Sequence, residues 1–178
     1  MSVLNRRWMM LQPSETFPPY KLKDGTAVVG KKTVTIKNGV INISTSSADT
    51  YWDYTYINVS DLSQNGDDPF SKSNVTNKPT IFTIPAGAVC VLKIHALYPL
   101  QASGEHARLK MFEAESENEI ATTPKKYTWV GSGEFIDTVD WTQGNDANVG
   151  SLCIYFQNMR AQMKSATISL TVNGEKWV

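Results

Sequence analysis

The chain has 178 residues, 41% of them hydrophobic, which is enough to form one folded domain with its own core. The chain has 17 basic residues (Lys and Arg) and 17 acidic residues (Asp and Glu). It therefore lacks the excess of basic residues with which nucleic-acid-binding proteins neutralise phosphates. No apolar run approaches the roughly 20 residues of a membrane helix, and the first residues lack the features of a signal peptide. We therefore expect no nucleic-acid partner, no membrane partner and no signal peptide.

Residues 1–32 are predicted to form an extended arm. They carry no sustained hydrophobic period, and Pro13, Pro18 and Pro19 oppose regular structure in their middle. Four apolar residues near the start of this arm would be costly to expose to water, namely Trp8, Met9, Met10 and Leu11. We expect this cluster either to pack on its own domain or to dock on a neighbouring subunit, and it is the predicted assembly contact.

Residues 33–178 are predicted to form a single β-sandwich domain that begins with a hairpin. Residues 33–37 and 40–44 alternate apolar and polar side chains on either side of the dipeptide Asn38-Gly39. A two-residue Asn-Gly loop favours a type I′ turn, which places Val34 opposite Ile43 and Ile36 opposite Ile41. These four apolar side chains then share the face that we expect to lie in the core.

An aromatic stripe is predicted on the next strand, residues 51–59. Trp52, Tyr54 and Tyr56 alternate along it and therefore share one face. Three interpretations stay open for this stripe: core of the sandwich, interface to another subunit, or platform on which sugar rings stack.

Residues 60–79 are predicted to form a long polar loop. The Asn65-Gly66-Asp67-Asp68 segment of this loop is either a solvated turn or a calcium site.

The second half of the chain is predicted to consist of short strands separated by turns. In residues 89–98, Cys90, Leu92, Ile94 and Ala96 share one face, and in residues 166–172 the alternation is strict and ends at a second Asn-Gly dipeptide. Further strands are predicted at residues 80–84, 107–112, around Ile120, 135–141 and 152–158. The chain lacks a helical period between them, so it predicts an all-β fold, an antiparallel two-sheet β-sandwich of jelly-roll type.

The residues needed for catalysis are sparse. The two histidines, His95 and His106, lie in no nucleophile motif, and two isolated histidines supply at most part of a metal site. The cysteines Cys90 and Cys153 lie in apolar runs, where they are buried thiols or, if their strands are neighbours, a disulfide. We expect no catalytic residues, no metal and no cofactor, and hence a protein that is not an enzyme.

Three carboxylates define an enzymatic alternative. Glu134, Asp137 and Asp140 lie on or next to the strand that contains Trp141. Glycoside hydrolysis needs two carboxyl groups on either side of a sugar. A glycan-processing enzyme would combine two of these carboxylates, or one of them with His95 or His106, in one cleft.

Four segments of the second half carry a resemblance to known domains. They are FTIPAG at 82–87, ARLKMF at 107–112, GSLCIYF at 150–156 and LTVNGEKWV at 170–178. In this pattern of strands and turns, the chain from about residue 82 to its end resembles the β-sandwich domains of bacteriophage and prophage structural proteins and of carbohydrate-binding modules. The resemblance implies a virion part, such as a capsid decoration, head fibre, tail or baseplate component, that assembles in the host cytoplasm.

The sequence therefore leads to a non-enzymatic structural or attachment protein of a virion. We expect it to act through contacts with other virion proteins, to form a homo-oligomer, and to contact host surface glycans through the face of Trp52, Tyr54 and Tyr56. The alternative is a carbohydrate-binding module that uses the same three rings as its platform.

Overall fold

In the computed structural model the described residues are 22–45, 55–60, 62, 75, 77–98, 100–103, 108–124, 133–156, 160–162 and 165–176. They include fourteen strands, and each strand pair among them is antiparallel. The strands are β1 (Gly25–Val29), β2 (Lys32–Lys37), β3 (Val40–Thr45), β4 (Thr55–Asn58), β5 (Phe82–Ile84), β6 (Val89–Tyr98), β7 (Leu100–Ser103), β8 (Arg108–Glu113), β9 (Glu119–Thr122), β10 (Gly133–Thr142), β11 (Ala147–Phe156), β12 (Arg160–Gln162), β13 (Ser165–Val172) and β14 (Glu175–Lys176).

Two sheets pack face to face. Sheet I has the order β1-β2-β3-β13-β6-β10, with β14 paired to β13, and sheet II has the order β4-β11-β8-β9, with β5 paired to β11. Strands β7 and β12 form a separate two-stranded ribbon. Connections between the two sheets place the strands β3-β13-β6-β10 opposite the strands β4-β11-β8-β9. This is the strand arrangement of an eight-stranded jelly roll. The predicted all-β, antiparallel two-sheet sandwich is therefore confirmed.

The core fills the space between the two sheets. Sheet I contributes side chains such as Ile36 and Leu92, and sheet II contributes side chains such as Leu109 and Ile154, all of them fully buried. Successive side chains of a strand point to opposite faces, so one side of each sheet lines this core and the other points outward.

The Asn38-Gly39 hairpin has the register predicted from its turn. Both turn residues adopt positive φ, 52° at Asn38 and 76° at Gly39, as a type I′ turn requires. Ile36 lies opposite Ile41, and Val34 lies opposite Ile43, with all four side chains buried. Burial of one face and turn geometry select the same register, because a one-residue slip would move all four side chains into water.

Strands β6 and β13 also bury the predicted faces. Cys90, Leu92, Ile94 and Ala96 of β6 are buried, and Lys93 points away. The core face of β13 consists of Ala166, Ile168, Leu170 and Val172. These two strands pair along eight residues in the middle of sheet I.

The N-terminal boundary of the sandwich differs from the prediction. Leu22 is buried in the core, and β1 pairs with β2 along five residues. Residues 22–32 of the predicted 1–32 arm therefore belong to the sandwich, because pairing to β2 stabilises a segment whose own alternation is too weak to indicate a strand. The predicted assembly contact, Trp8, Met9, Met10 and Leu11, lies outside the described residues.

A second, smaller apolar cluster covers the outward face of sheet II. Val75, Phe112 and Cys153 are buried in it, and Tyr56 packs against them. The hydroxyl of Ser151 donates a hydrogen bond to the carbonyl of Val75, which ties Val75 to this face. Within the described ranges, no helix is long and apolar enough to cross a membrane.

Candidate functional site

The outward face of sheet I carries most of the exposed apolar surface. Among the described residues, six large hydrophobic side chains are exposed, and the alternation of strands β1, β3, β6 and β10 places five of them on this face. The five are Val28, Val40, Val89, Leu97 and Ile136. The sixth, Ile81, precedes β5 in sheet II. Scattered apolar residues are normal on a surface, whereas their concentration on one face is typical of a contact surface.

Strand register arranges this face into rows of directly opposed residues. We define row one as Ile136 of β10, His95 of β6, Thr167 of β13 and Val40 of β3, in that order across the sheet. We define row two as Asp140 of β10, Val91 of β6, Thr171 of β13 and Lys176 of β14. Four residues of β6 separate the rows, a distance of about 13 Å along the strand.

A polar depression lies between the two rows. Its volume is about 210 Å³, and it is lined by Lys93, His95, Thr167, Ser169 and Lys176. Two ammonium groups and two hydroxyls contribute to its lining. Neither lysine forms an ion pair with any part of the chain that the structure describes.

His95 is held by a carboxylate at the edge of the depression. Its Nε2 lies 2.7 Å from Oε2 of Glu134 on the neighbouring strand β10. Both side chains are exposed to water, which screens their attraction. The contact therefore fixes the ring orientation and adds little to stability.

The predicted aromatic stripe is described only at Tyr56, because Trp52 and Tyr54 lie outside the described residues. Tyr56 is half-buried on the outward face of sheet II, with its ring centroid 4.6 Å from that of Tyr155 and 6.2 Å from that of Phe112. Burial, with smaller contributions from Cys153 and Tyr155, raises the pKa of Tyr56 to about 12. Tyr56 thus packs in the small apolar cluster while part of its surface remains accessible.

A buried lysine lies beside these two tyrosines. Lys110 Nζ is 4.8 Å from the ring centroid of Tyr155 and 5.8 Å from that of Tyr56. It also donates a 2.6 Å hydrogen bond to Oε1 of Glu119. Burial alone would raise the pKa of Glu119, but the hydrogen bonds from Lys110 and Thr122 and the lysine charge outweigh it, so this pKa is lowered.

The three carboxylates of the enzymatic alternative do not converge. Glu134 and Asp140 are exposed on the outward face of sheet I, whereas Asp137 points inward and is buried. Glu134 and Asp140 are six residues apart on one strand, which separates them by about 20 Å. Paired carboxylates of glycosidases lie at most about 9.5 Å apart. His106 lies outside the described residues, so the structure brings together only His95 and Glu134 from this set.

The two cysteines are free and buried. Cys90 belongs to the main core, and Cys153 belongs to the cluster on the far side of sheet II, so the disulfide alternative is not realised. In the described part of the chain, no group of three or more His, Cys, Asp or Glu side chains is placed to hold a metal ion. The calcium alternative at residues 65–68 falls outside the described ranges.

Lys176 is a residue of the face that the sequence interpretation missed. Asn173-Gly174 forms a second positive-φ turn, and β14 folds back on β13. The same Asn-Gly rule that predicted the first hairpin would have placed Lys176 opposite Thr171.

No protein-family model matches this chain, and no curated protein matches it either. Function must therefore be inferred from the fold and from the chemistry of its surfaces.

Proposed function

We propose that this protein is a non-enzymatic structural component of a virion that acts through protein-protein contacts and forms a homo-oligomer. The observation that carries the proposal is the concentration of exposed apolar side chains on the outward face of sheet I. Covering such side chains releases about 25 cal/mol for each Å² of apolar surface removed from water. A face of this kind is favoured in a protein that functions as part of an assembly.

Two further properties support the proposal. Jelly rolls are common in viral capsid and lectin domains, an argument by analogy of fold. The formal net charge is zero, so copies of the chain repel one another little when they are packed side by side. As a virion protein, the chain would be found in particles assembled in the host cytoplasm, as a capsid decoration, head fibre, tail or baseplate component.

The experiment measures incorporation into particles. Virus particles whose genome encodes this chain are separated on a density gradient, and the chain is quantified in each fraction by mass spectrometry. We expect a fixed copy number in the particle band. Recovery of the chain only in fractions without particles would contradict the proposal.

A matched pair of variants tests the face itself. Ile136 is 43% exposed on the outward face of sheet I, and Ile81 is 42% exposed elsewhere. We expect Ile136→Lys to reduce incorporation and Ile81→Lys to leave it unchanged, because only the first places a charge in the proposed contact. Equal effects of the two variants would assign the contact to another surface.

Glycan binding is the second candidate function, either as the attachment activity of the virion protein or as that of a carbohydrate-binding module. The half-buried Tyr56 beside Tyr155 favours it, because partly exposed aromatic rings can stack on the C–H faces of sugars. Titration with monosaccharides and host glycans, followed by NMR of the tyrosine ring protons, tests this candidate. Shifts confined to Tyr56 and Tyr155 would support it, and unchanged spectra would exclude this platform.

A further inference from the structure

We infer that the outward face of sheet I binds the same face of a second copy of this chain, about a twofold axis parallel to the strands. The inference rests on the proposed function, since it names the partner of the same surface. It follows from the order of residues in the two rows. The first and last residues of each row are complementary to each other. When the row of one copy packs on the same row of a second copy in the opposite direction, each end residue therefore meets its complement.

Row one has an apolar residue at each end. Ile136 on β10 and Val40 on β3 are 43% and 42% exposed, with His95 and Thr167 between them. A twofold axis between β6 and β13 places Ile136 of one copy over Val40 of the other, and the reverse contact forms at the same time. Both apolar side chains then leave water against an apolar partner.

Row two has opposite charges at its ends. Asp140 on β10 and Lys176 on β14 are both exposed, with Val91 and Thr171 between them. The same axis brings Asp140 of each copy to Lys176 of the other, which makes two intermolecular ion pairs. The same twofold rotation therefore pairs the ends of both rows. Ile136 and Asp140 lie at one end of their rows, on β10. Val40 and Lys176 lie at the other end, on β3 and β14, which pair with the edge of β13 that faces away from β6.

The alternative of edge-to-edge pairing through β10 is disfavoured by charge. This strand is an end strand of sheet I, and it carries Glu134, Asp137 and Asp140. Antiparallel self-pairing centred on Asp137 would oppose Glu134 to Asp140 of the other copy and bring like charges together. Acidic and inward-pointing charges are a known protection of sheet edges.

The size of the face fits a reversible dimer. Strands β6 and β10 have ten residues each, β13 has eight, β3 six and β14 two. At about 3.3 Å per residue and about 4.8 Å between strands, they cover roughly 600 Å² per copy. Stable interfaces bury about 800 Å² per partner, and smaller ones are transient. Two sheets packed face to face cross at about 30°, and the long Lys176 side chain can span the resulting offset.

A charge-swap cycle measured by sedimentation equilibrium tests the inference. We expect the wild-type chain to dimerise reversibly, and Asp140→Lys and Lys176→Asp each to raise the dissociation constant by about tenfold or more, because like charges then meet twice in each dimer. The double variant restores both ion pairs, so we expect its dissociation constant to return to within about threefold of wild type.

Two control variants separate this contact from a general effect of charge. Glu175→Lys changes the net charge by the same amount as Asp140→Lys. Glu175 lies next to Lys176 in β14, but its side chain is on the opposite side of sheet I. Lys31→Asp changes the charge as Lys176→Asp does, at an exposed turn between β1 and β2. We expect neither to alter dimerisation. The imidazole protons of His95, in the middle of row one, should shift with protein concentration in NMR spectra of the wild type.

Three outcomes would overturn the inference: a wild-type chain that stays monomeric up to about 1 mM, a dimer insensitive to the single swaps, or a double variant that fails to recover. These outcomes are distinct from failure of the proposed function. A monomer that is still incorporated into particles would remove the second copy as partner and leave the virion role standing.

Discussion

At Gly150 the lack of a side chain allows backbone segments to pass close to one another. This residue lies at the irregularity in the β11–β8 pairing between Val149 and Ser151. A methyl carbon there would lie 2.6 Å from Cα of Ala114 and 3.0 Å from the carbonyl oxygen of Lys78. Both contacts are backbone atoms, and Ala114 N is itself held by a 2.7 Å hydrogen bond to Asn148 O, so neither can rotate away.

Replacing Gly150 by alanine should therefore destabilise the sandwich. We expect Gly150→Ala to lower the free energy of unfolding by about 1–3 kcal/mol, the usual cost of overpacking. Gly144→Ala is the matched control, since its methyl group would meet nothing within 4 Å, and we expect a change within about 0.5 kcal/mol. Urea denaturation of both variants measures the difference, and similar values would show that the backbone around Gly150 gives way.

The Lys110–Glu119 pair gives the fold a specific dependence on pH. The pKa of Glu119 is lower in the folded protein than its ordinary value. Its stabilising contribution is therefore complete above the ordinary carboxyl pKa and is lost as the pH falls through the lowered folded pKa. Lys110 is buried, so loss of its anionic partner leaves its ammonium group with only the rings of Tyr56 and Tyr155 as favourable neighbours among the described residues.

We expect Glu119→Gln to lower the free energy of unfolding at pH 7 by about 1 kcal/mol, a modest value because Glu119 is partly exposed and screened by water. This deficit should shrink as the pH is lowered from about 5 to 3, where wild-type Glu119 itself becomes protonated. Urea titrations across this range measure it. Glu175→Gln, at an exposed position in β14, should show no such dependence, and a deficit constant with pH would contradict the assigned cause.

At the scale of elements, two Asn-Gly turns of similar geometry support hairpins of different importance. Gly39 and Gly174 both have positive φ, 76° and 83°. The β2–β3 hairpin buries Val34, Ile36, Ile41 and Ile43 in the core, whereas β14 consists of two exposed residues. The first hairpin cannot open without exposing the core, and the second can.

We therefore expect Gly39→Ala to destabilise the protein more than Gly174→Ala does. A left-handed conformation costs a non-glycine residue about 1–2 kcal/mol, and the loss at Gly39 should be near this value. At Gly174 the loss should be smaller, because β14 can detach instead of adopting the strained turn. Thermal or urea unfolding of the two variants compares them, and equal losses would mean that β14 is integral to the cooperative unit.

At the scale of the whole molecule, the sandwich holds its two thiols in separate layers. Cys90 is buried in the core between the sheets, and Cys153 is buried in the cluster outside sheet II. Burial raises the pKa of Cys90 to about 11 and the pKa of Cys153 well above its usual range. Thiolates are the reactive form, so both residues are unreactive in the folded state.

We expect a thiol reagent at pH 8 to modify native protein only at the rate of unfolding, with two equivalents reacting at once in denaturant. A reducing agent should leave the melting temperature unchanged, since no disulfide joins these cysteines. Mass spectrometry of the modified protein assigns the sites. Rapid labelling of either cysteine in the native protein would show that its layer opens locally.

Much of the fold is predictable because its signals are local. Alternation of apolar and polar residues marks β6 and β13, and Asn38-Gly39 fixes the register of the first hairpin, since each depends only on neighbours in the chain. The sequence interpretation does not include β1, β7, β12 and β14, because these segments carry little alternation of apolar and polar residues and are stabilised by the strands with which they pair.

The sequence by itself determined that this protein is an all-β sandwich, which side chains of β2, β3, β6 and β13 are buried, and where the turn of its first hairpin lies. Tertiary structure alone decided that β10, β6 and β13 are neighbours, that the face of β10 that carries Asp137 is the buried one, and that Lys110 is buried. The physical reason is that burial patterns specify the face of a strand but not its partner. Strand order depends on contacts between distant segments, and only that order places Ile136 in one row with Val40 and Asp140 in one row with Lys176.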